Sequence, residues 1–217
     1  MMPAPSRRLP TNPFATRFTR PGRLPPLGPH GRPIDATRLL ARLAPGRVVA
    51  IIGPHGHGKS TLLAALTRAA AAAEPTVTAV RVRAPLDSWR PLAAVLAARR
   101  QGFVACDGWE RAIPGTAALV RLIAAARGLR VVVTAHGRAG LPILARCETS
   151  PGLLAEVVAL LPDHGGLITG DDIDDACRRH AGNLREALYD LYDRFERRAR
   201  RHSPAAWCSA ADGLGDR

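Results

Sequence analysis

The run Gly53-Pro54-His55-Gly56-His57-Gly58-Lys59-Ser60-Thr61 leaves this chain few ways to fold. Glycines at positions 53, 56 and 58 let the backbone turn tightly and face its N–H groups inward as an anion nest. A lysine and two hydroxyls follow, completing the spacing G-x-x-x-x-G-K-[ST] that cradles phosphates. All nine residues from Gly53 to Thr61 are therefore candidate nucleotide-binding residues. Lys59 is expected to reach the β- and γ-phosphates, and the Ser60 hydroxyl to complete the shell of a Mg²⁺ ion.

The flanks supply the context such a loop requires. Val48-Val49-Ala50-Ile51-Ile52 is an apolar, β-branched run of the kind that fills a strand buried on both faces. Leu62-Leu63-Ala64-Ala65-Leu66 then opens a helix running through Ala73, whose positive end faces the loop. Of the 31 basic residues only Lys59 is lysine, where a slim point charge must fit.

Strands and helices alternate from here. Val77 to Val82 reads as a second strand nearer an edge, Leu86 to Arg100 as helix, and Gly102 to Cys106 as a buried strand ending at Asp107. A helix from Gly115 to Arg127 leads to a fourth strand, Val131-Val132-Val133-Thr134, and residues 141–149 offer a short fifth. Such alternation predicts an α/β, three-layer fold with a mostly parallel sheet, its ligand at the carboxyl ends of the strands. From Pro151 the pattern is helical only, near 151–161, 170–180 and 183–201, with Thr169/Asp172 and Asn183/Glu186 spaced as cap and acid.

The predicted organisation is a flexible Pro/Arg-rich arm over 1–33, a phosphate-loop core over 34–150, a helical lid over 151–202 and a flexible tail over 203–217. The arm holds nine of the 19 prolines and few large apolar residues. Asp35 caps a short helix carrying Leu39, Leu40 and Leu43, Pro75 ends the alanine-rich helix, and Trp207 is a candidate for docking from the tail. Four dispersed cysteines with no C-x-x-C pair argue against a zinc site or disulfide framework and for a cytoplasmic protein. No run approaches the roughly 18 apolar residues of a membrane span. The net charge of +13 gathers at the ends, through Arg7 to Arg38 and Arg194 to Arg201, which is the footprint of a nucleic-acid partner or of solvated termini.

Polar residues at strand ends are the remaining candidates. A carboxylate at Asp107 would hold the water shell of the metal opposite Ser60. Glu110 is the nearest carboxylate able to orient a water toward the γ-phosphate. Thr134 and His136, closing the fourth strand, would hydrogen-bond that phosphate or the water, and Arg185, in the first turn of the last helix, would clamp an anion.

These residues in this order resemble the AAA+ ATPases and their relatives among additional-strand P-loop NTPases. Gly53 to Thr61 is similar to Walker A, Phe103 to Asp107 to Walker B, Thr134 to His136 to sensor 1, and Gly182-Asn183-Leu184-Arg185 to sensor 2. Leu141 to Arg146 resembles the segment carrying the family's inter-subunit arginine. The resemblance implies catalytic roles for Lys59, Glu110, Thr134, His136 and Arg185, metal contacts from Ser60 and Asp107, and ATP and Mg²⁺ as cofactors. One departure is Gly108, where the family places its catalytic glutamate; Asp-Gly-x-Glu looks more like slow, switch-like STAND ATPases. ABC ATPase subunits are a second resemblance, through Gly46 to Leu62 and a switch histidine at His136, but no Leu-Ser-Gly-Gly-Gln run is present and the spacing from Lys59 to Asp107 is short for that family.

The expected function is thus Mg-ATP hydrolysis driving a conformational or assembly cycle, with a nucleic acid, a protein partner or a second copy as its object. The alternatives are a slow nucleotide switch for a protein partner, an ABC-type subunit, and a phosphotransferase, for which no acceptor motif is present.

Overall fold

In the computed structural model the described residues are 11–73, 76–112, 115–137 and 140–202. Five strands form one parallel sheet in the order β2-β3-β4-β1-β5: β1 Val48–Ile52, β2 Val77–Arg81, β3 Phe103–Asp107, β4 Arg130–Ala135 and β5 Ile143–Arg146. Eight α-helices accompany them among the described residues: α1 Thr16–Thr19, α2 Ala36–Ala41, α3 Lys59–Ala73, α4 Arg90–Ala97, α5 Thr116–Arg127, α6 Pro151–Ala159, α7 Gly170–Arg179 and α8 Leu184–His202.

The three layers follow from period-two burial. Phe103 and Ala105 of β3, with Val132 of β4, face α2 and α3 and meet Leu62, Leu63 and Leu66. Val104, Cys106, Val131 and Val133 face the other way, against Val95 of α4 and Val120 of α5. Both faces are covered, so the strands read as nearly continuous apolar runs. The fold class is therefore as the alternation predicts. The register pairs Ile52 with Ala135, Cys106 with Val133 and Arg81 with Asp107, which brings the ends of β1, β2, β3 and β4 to one edge of the sheet.

Two local expectations change, and a third is met. The helix expected over 86–100 is a 3-10 turn, Pro85–Asp87, followed by a shorter α4 with Pro91 in its first turn. Proline lacks the N–H that a longer helix would need there. The fifth strand is real, pairing parallel to β1 with a register irregularity between Ala50 and Ile51. The second change concerns the arm.

Residues 11–33 are not a free arm. Phe14 is 1% exposed, its ring centroid 6.4 Å from that of Phe195 in α8. Asn12 donates to Tyr192 O at 3.1 Å and to Glu196 Oε1 at 2.9 Å. Leu24 and Leu27 pack into the same helical core, Leu27 bridges Pro33, and Ser150 donates to Pro29 O at 2.5 Å. The segment lacks a core of its own but lends its few apolar side chains to that of α6, α7 and α8. Residues 1–10 and 203–217, Pro75, Trp207 and Cys208 lie outside the described residues.

The C-terminal helices pack through Leu153, Leu154, Val157 and Val158 of α6, Ala176 and Cys177 of α7, and Leu188, Leu191, Phe195 and Ala199 of α8. Thr169 and Asp172 form a reciprocal capping box at the start of α7. Beside this core, Arg194 bonds Asp172, Asp175 and Asp190, and Arg198 bonds Asp172 with both of its Nη atoms. Two of the arginines that contribute to the basic C-terminal end therefore hold this unit together.

Candidate functional site

The loop after β1 takes its shape from glycine. Gly56 has φ +74°, and a Cβ there would stand 1.7 Å from Asn183 Oδ1, so the turn before α8 presses directly on the loop. Asn183 also caps α8, accepting from Glu186 N at 3.3 Å. A second contact joins the two units, Thr149 Oγ1 to His57 Nδ1 at 3.3 Å.

Lys59 opens α3 and is only 8% exposed. Its Nζ donates to Gly53 O and Pro54 O, both at 2.6 Å, so the ammonium lies across the mouth of the nest. Burial lowers its pKa, and the charge of Glu110 is the largest opposing influence. The same burial, with Lys59 nearby, holds His57 below the usual imidazole range.

Ser60 follows on α3 and donates to both oxygens of Asp107, at 3.0 and 3.1 Å. Thr134, buried at the end of β4, donates to Asp107 Oδ1 at 2.7 Å, and its Oγ1 accepts from Gly108 N at 3.0 Å. Arg81, ending β2, donates from Nε to Asp107 Oδ2 at 2.9 Å. A hydroxyl and a carboxylate at this separation are hard oxygen donors of the kind Mg²⁺ takes while keeping waters and substrate phosphates in its shell. Among the described residues no group of three or more His, Cys, Asp or Glu could hold a metal ion.

Gly108 explains the displaced glutamate. With φ +95° and a would-be Cβ 2.5 Å from Val82 O, it admits no side chain. The chain turns there into a 3-10 turn, Trp109–Arg111, which carries Glu110 back to the site. Glu110 Oε1 lies 3.3 Å from His136 Nδ1, and the His136 ring lies against His55 of the loop, tilted by 46° with centroids 3.5 Å apart. Burial lowers the His136 pKa and Glu110 acts against that shift.

Residues 55–62, Asp107, Glu110, Thr134, His136 and Arg185 line one cleft of about 490 Å³. Its lining is apolar or aromatic at Leu24, Leu27 and Ile34 of the N-terminal segment and at Leu184, Leu188 and Tyr189 of α8. Arg146 stands apart, exposed at the end of β5. Sequence reasoning missed Arg81, whose place at a strand end was a usable signal, and the second role of Asn183. The apolar wall from residues 24–34 was hidden because the segment read as an arm.

This fold, with this loop between β1 and α3, defines a P-loop NTPase. A family model described as ABC transporter matches residues 37–103, from α2 to the first residue of β3, which is less than a third of the chain and stops short of Asp107. That match supports an ATP-binding P-loop ATPase in general terms. No curated protein matches the chain. Among the described residues no helix is long and apolar enough to cross a membrane.

Proposed function

We propose that this protein is a Mg-ATP hydrolase of the additional-strand, AAA+-like group, in which the helices over 151–202 act as a lid on the nucleotide. The observation that carries this reading is the Ser60–Asp107–Thr134 network, with Glu110 in the same cleft. Sheet order adds support, because β4 stands between the loop strand β1 and the aspartate strand β3, as the group's name describes.

In this reading the loop amides and Lys59 bind the phosphates, and the apolar wall from residues 24–34 and α8 takes the base. Mg²⁺ would be held by Ser60 and Asp107 and would supply charge neutralisation at the β- and γ-phosphates. Glu110 accepts a proton from the water that attacks γ-phosphorus, and ADP leaves as the P–O bond breaks. His136 orients Glu110 from its position against His55. Arg185, at the N-terminus of the lid helix α8, clamps the γ-phosphate, so that its release loosens α8.

Phosphate release from Mg-ATP by the full chain, beside Lys59→Ala and Glu110→Gln, tests this. Turnover in the wild type, lost in both variants, with nucleotide still bound by Glu110→Gln, is the expected result. A second reading, a slow switch for a protein partner, is favoured by Gly108, which sets Glu110 three residues beyond Asp107. Tight nucleotide retention with no turnover in the wild type would select it, and absence of nucleotide binding would end both.

A further inference from the structure

A second groove, of about 750 Å³, runs between residues 20–23, α3 and the edge strand β2. Arg20, Arg23, Arg68 and Arg81 line it, and among the described residues its only acid is Asp107. Arg68 donates one Nη to Gly22 O at 2.6 Å, which fastens the N-terminal segment across the groove. Among the described residues Arg20, Arg23 and Arg68 have no acidic partner, and all three are exposed. Arg194, by contrast, is held by three aspartates. Four guanidinium groups gathered around one open groove repel each other unless anions lie among them.

We propose that this groove binds the phosphate backbone of a single-stranded nucleic acid. Several arginines lining one open groove suit a chain of repeated charges better than one phosphate, and guanidinium forks match phosphate oxygens. Among the described residues no aromatic side chain lines the groove, so the phosphates rather than stacked bases carry the contact, independent of sequence. Arg20, Ser60, Arg81 and Asp107 line both cavities, so the strand would run up to the nucleotide's metal site. Arg81 is divided between Asp107 and the groove.

The test uses the full chain without nucleotide, so that it stands apart from the ATPase reading. Binding of a fluorescein-labelled oligothymidylate of about 20 nucleotides is followed by anisotropy between about 50 and 200 mM KCl. Wild type is expected to bind with a steep salt dependence. Arg23→Gln/Arg68→Gln should weaken binding by about tenfold and reduce the slope of log K against log[salt] by about 1.4, near 0.7 for each lost contact. If that double variant does not melt cooperatively, Arg23→Gln alone should lower the slope by about 0.7. Unchanged affinity and slope in the variant, or no binding by the wild type at low salt, overturns the proposal. Displacement by a nucleoside bisphosphate at phosphate concentrations equal to those of the oligomer would also overturn it, assigning the groove to a small phosphorylated ligand.

Discussion

Single residues set the phosphate loop and its protonation. Gly56→Ala places a Cβ where Asn183 Oδ1 stands and forces a left-handed conformation on alanine, a strain of about 1–2 kcal/mol before the clash is counted. Nucleotide affinity measured by calorimetry should fall at least about tenfold in that variant, since about 1.4 kcal/mol already corresponds to that factor. His57 and His136 are held below the ordinary imidazole range by burial, so the unfolded chain binds protons more readily than the folded one. Stability should therefore fall as pH drops through about 6.5, and His57→Asn/His136→Asn should remove that step from thermal melts. Asp172 behaves alike at lower pH. Arg198, Thr169 and Arg194 hold its carboxyl far below the usual range, so its contribution is complete above about pH 4 and is lost on further acidification.

At the scale of elements, α6, α7 and α8 depend on two devices, a borrowed aromatic and a charge cluster. Phe14→Ala removes a fully buried ring against Phe195 and should cost about 3–5 kcal/mol of the helical unit's stability. Protease sensitivity of α6–α8, with the sheet core still folded, is the measurement that would show it. Asp172→Asn leaves Arg194 and Arg198 facing a neutral amide and should cost about 2–3 kcal/mol in a denaturant titration. The proline-rich segment 11–33 thus belongs energetically to helices more than 100 residues later in the chain.

For the whole molecule, the cleft proposed to take the nucleotide is lined by the sheet edge and α8, with Asn183 on Gly56 and Thr149 on His57 as direct links. A ligand filling that cleft stabilises both units together. Saturating Mg-ATP, at about 100 times its dissociation constant, adds about 2.7 kcal/mol, which for a chain of this size raises the melting temperature by roughly 5–10 °C. Lys59→Ala should melt at nearly the wild-type temperature without nucleotide and show no such shift. A shift of the sheet core alone, with the helical unit melting separately, would argue against closure of the helices over the nucleotide.

What the amino-acid sequence determined by itself is what short range physics controls. Spacing identified the phosphate loop, burial periodicity identified the strands and the α/β class, and cap chemistry placed α7 and α8 within a residue or two. Asp107 and Thr134 were recognisable because both end apolar runs that must be buried strands. Tertiary structure alone decided the rest. Whether Phe14 is a stray apolar residue or an anchor depends on Phe195, 181 positions away, and no local pattern encodes that meeting. The role of Arg81 emerged only once β2 paired with β3 and set it opposite Asp107. Periodicity reports which face of an element is apolar; which partner covers that face is settled by the packing of the whole chain.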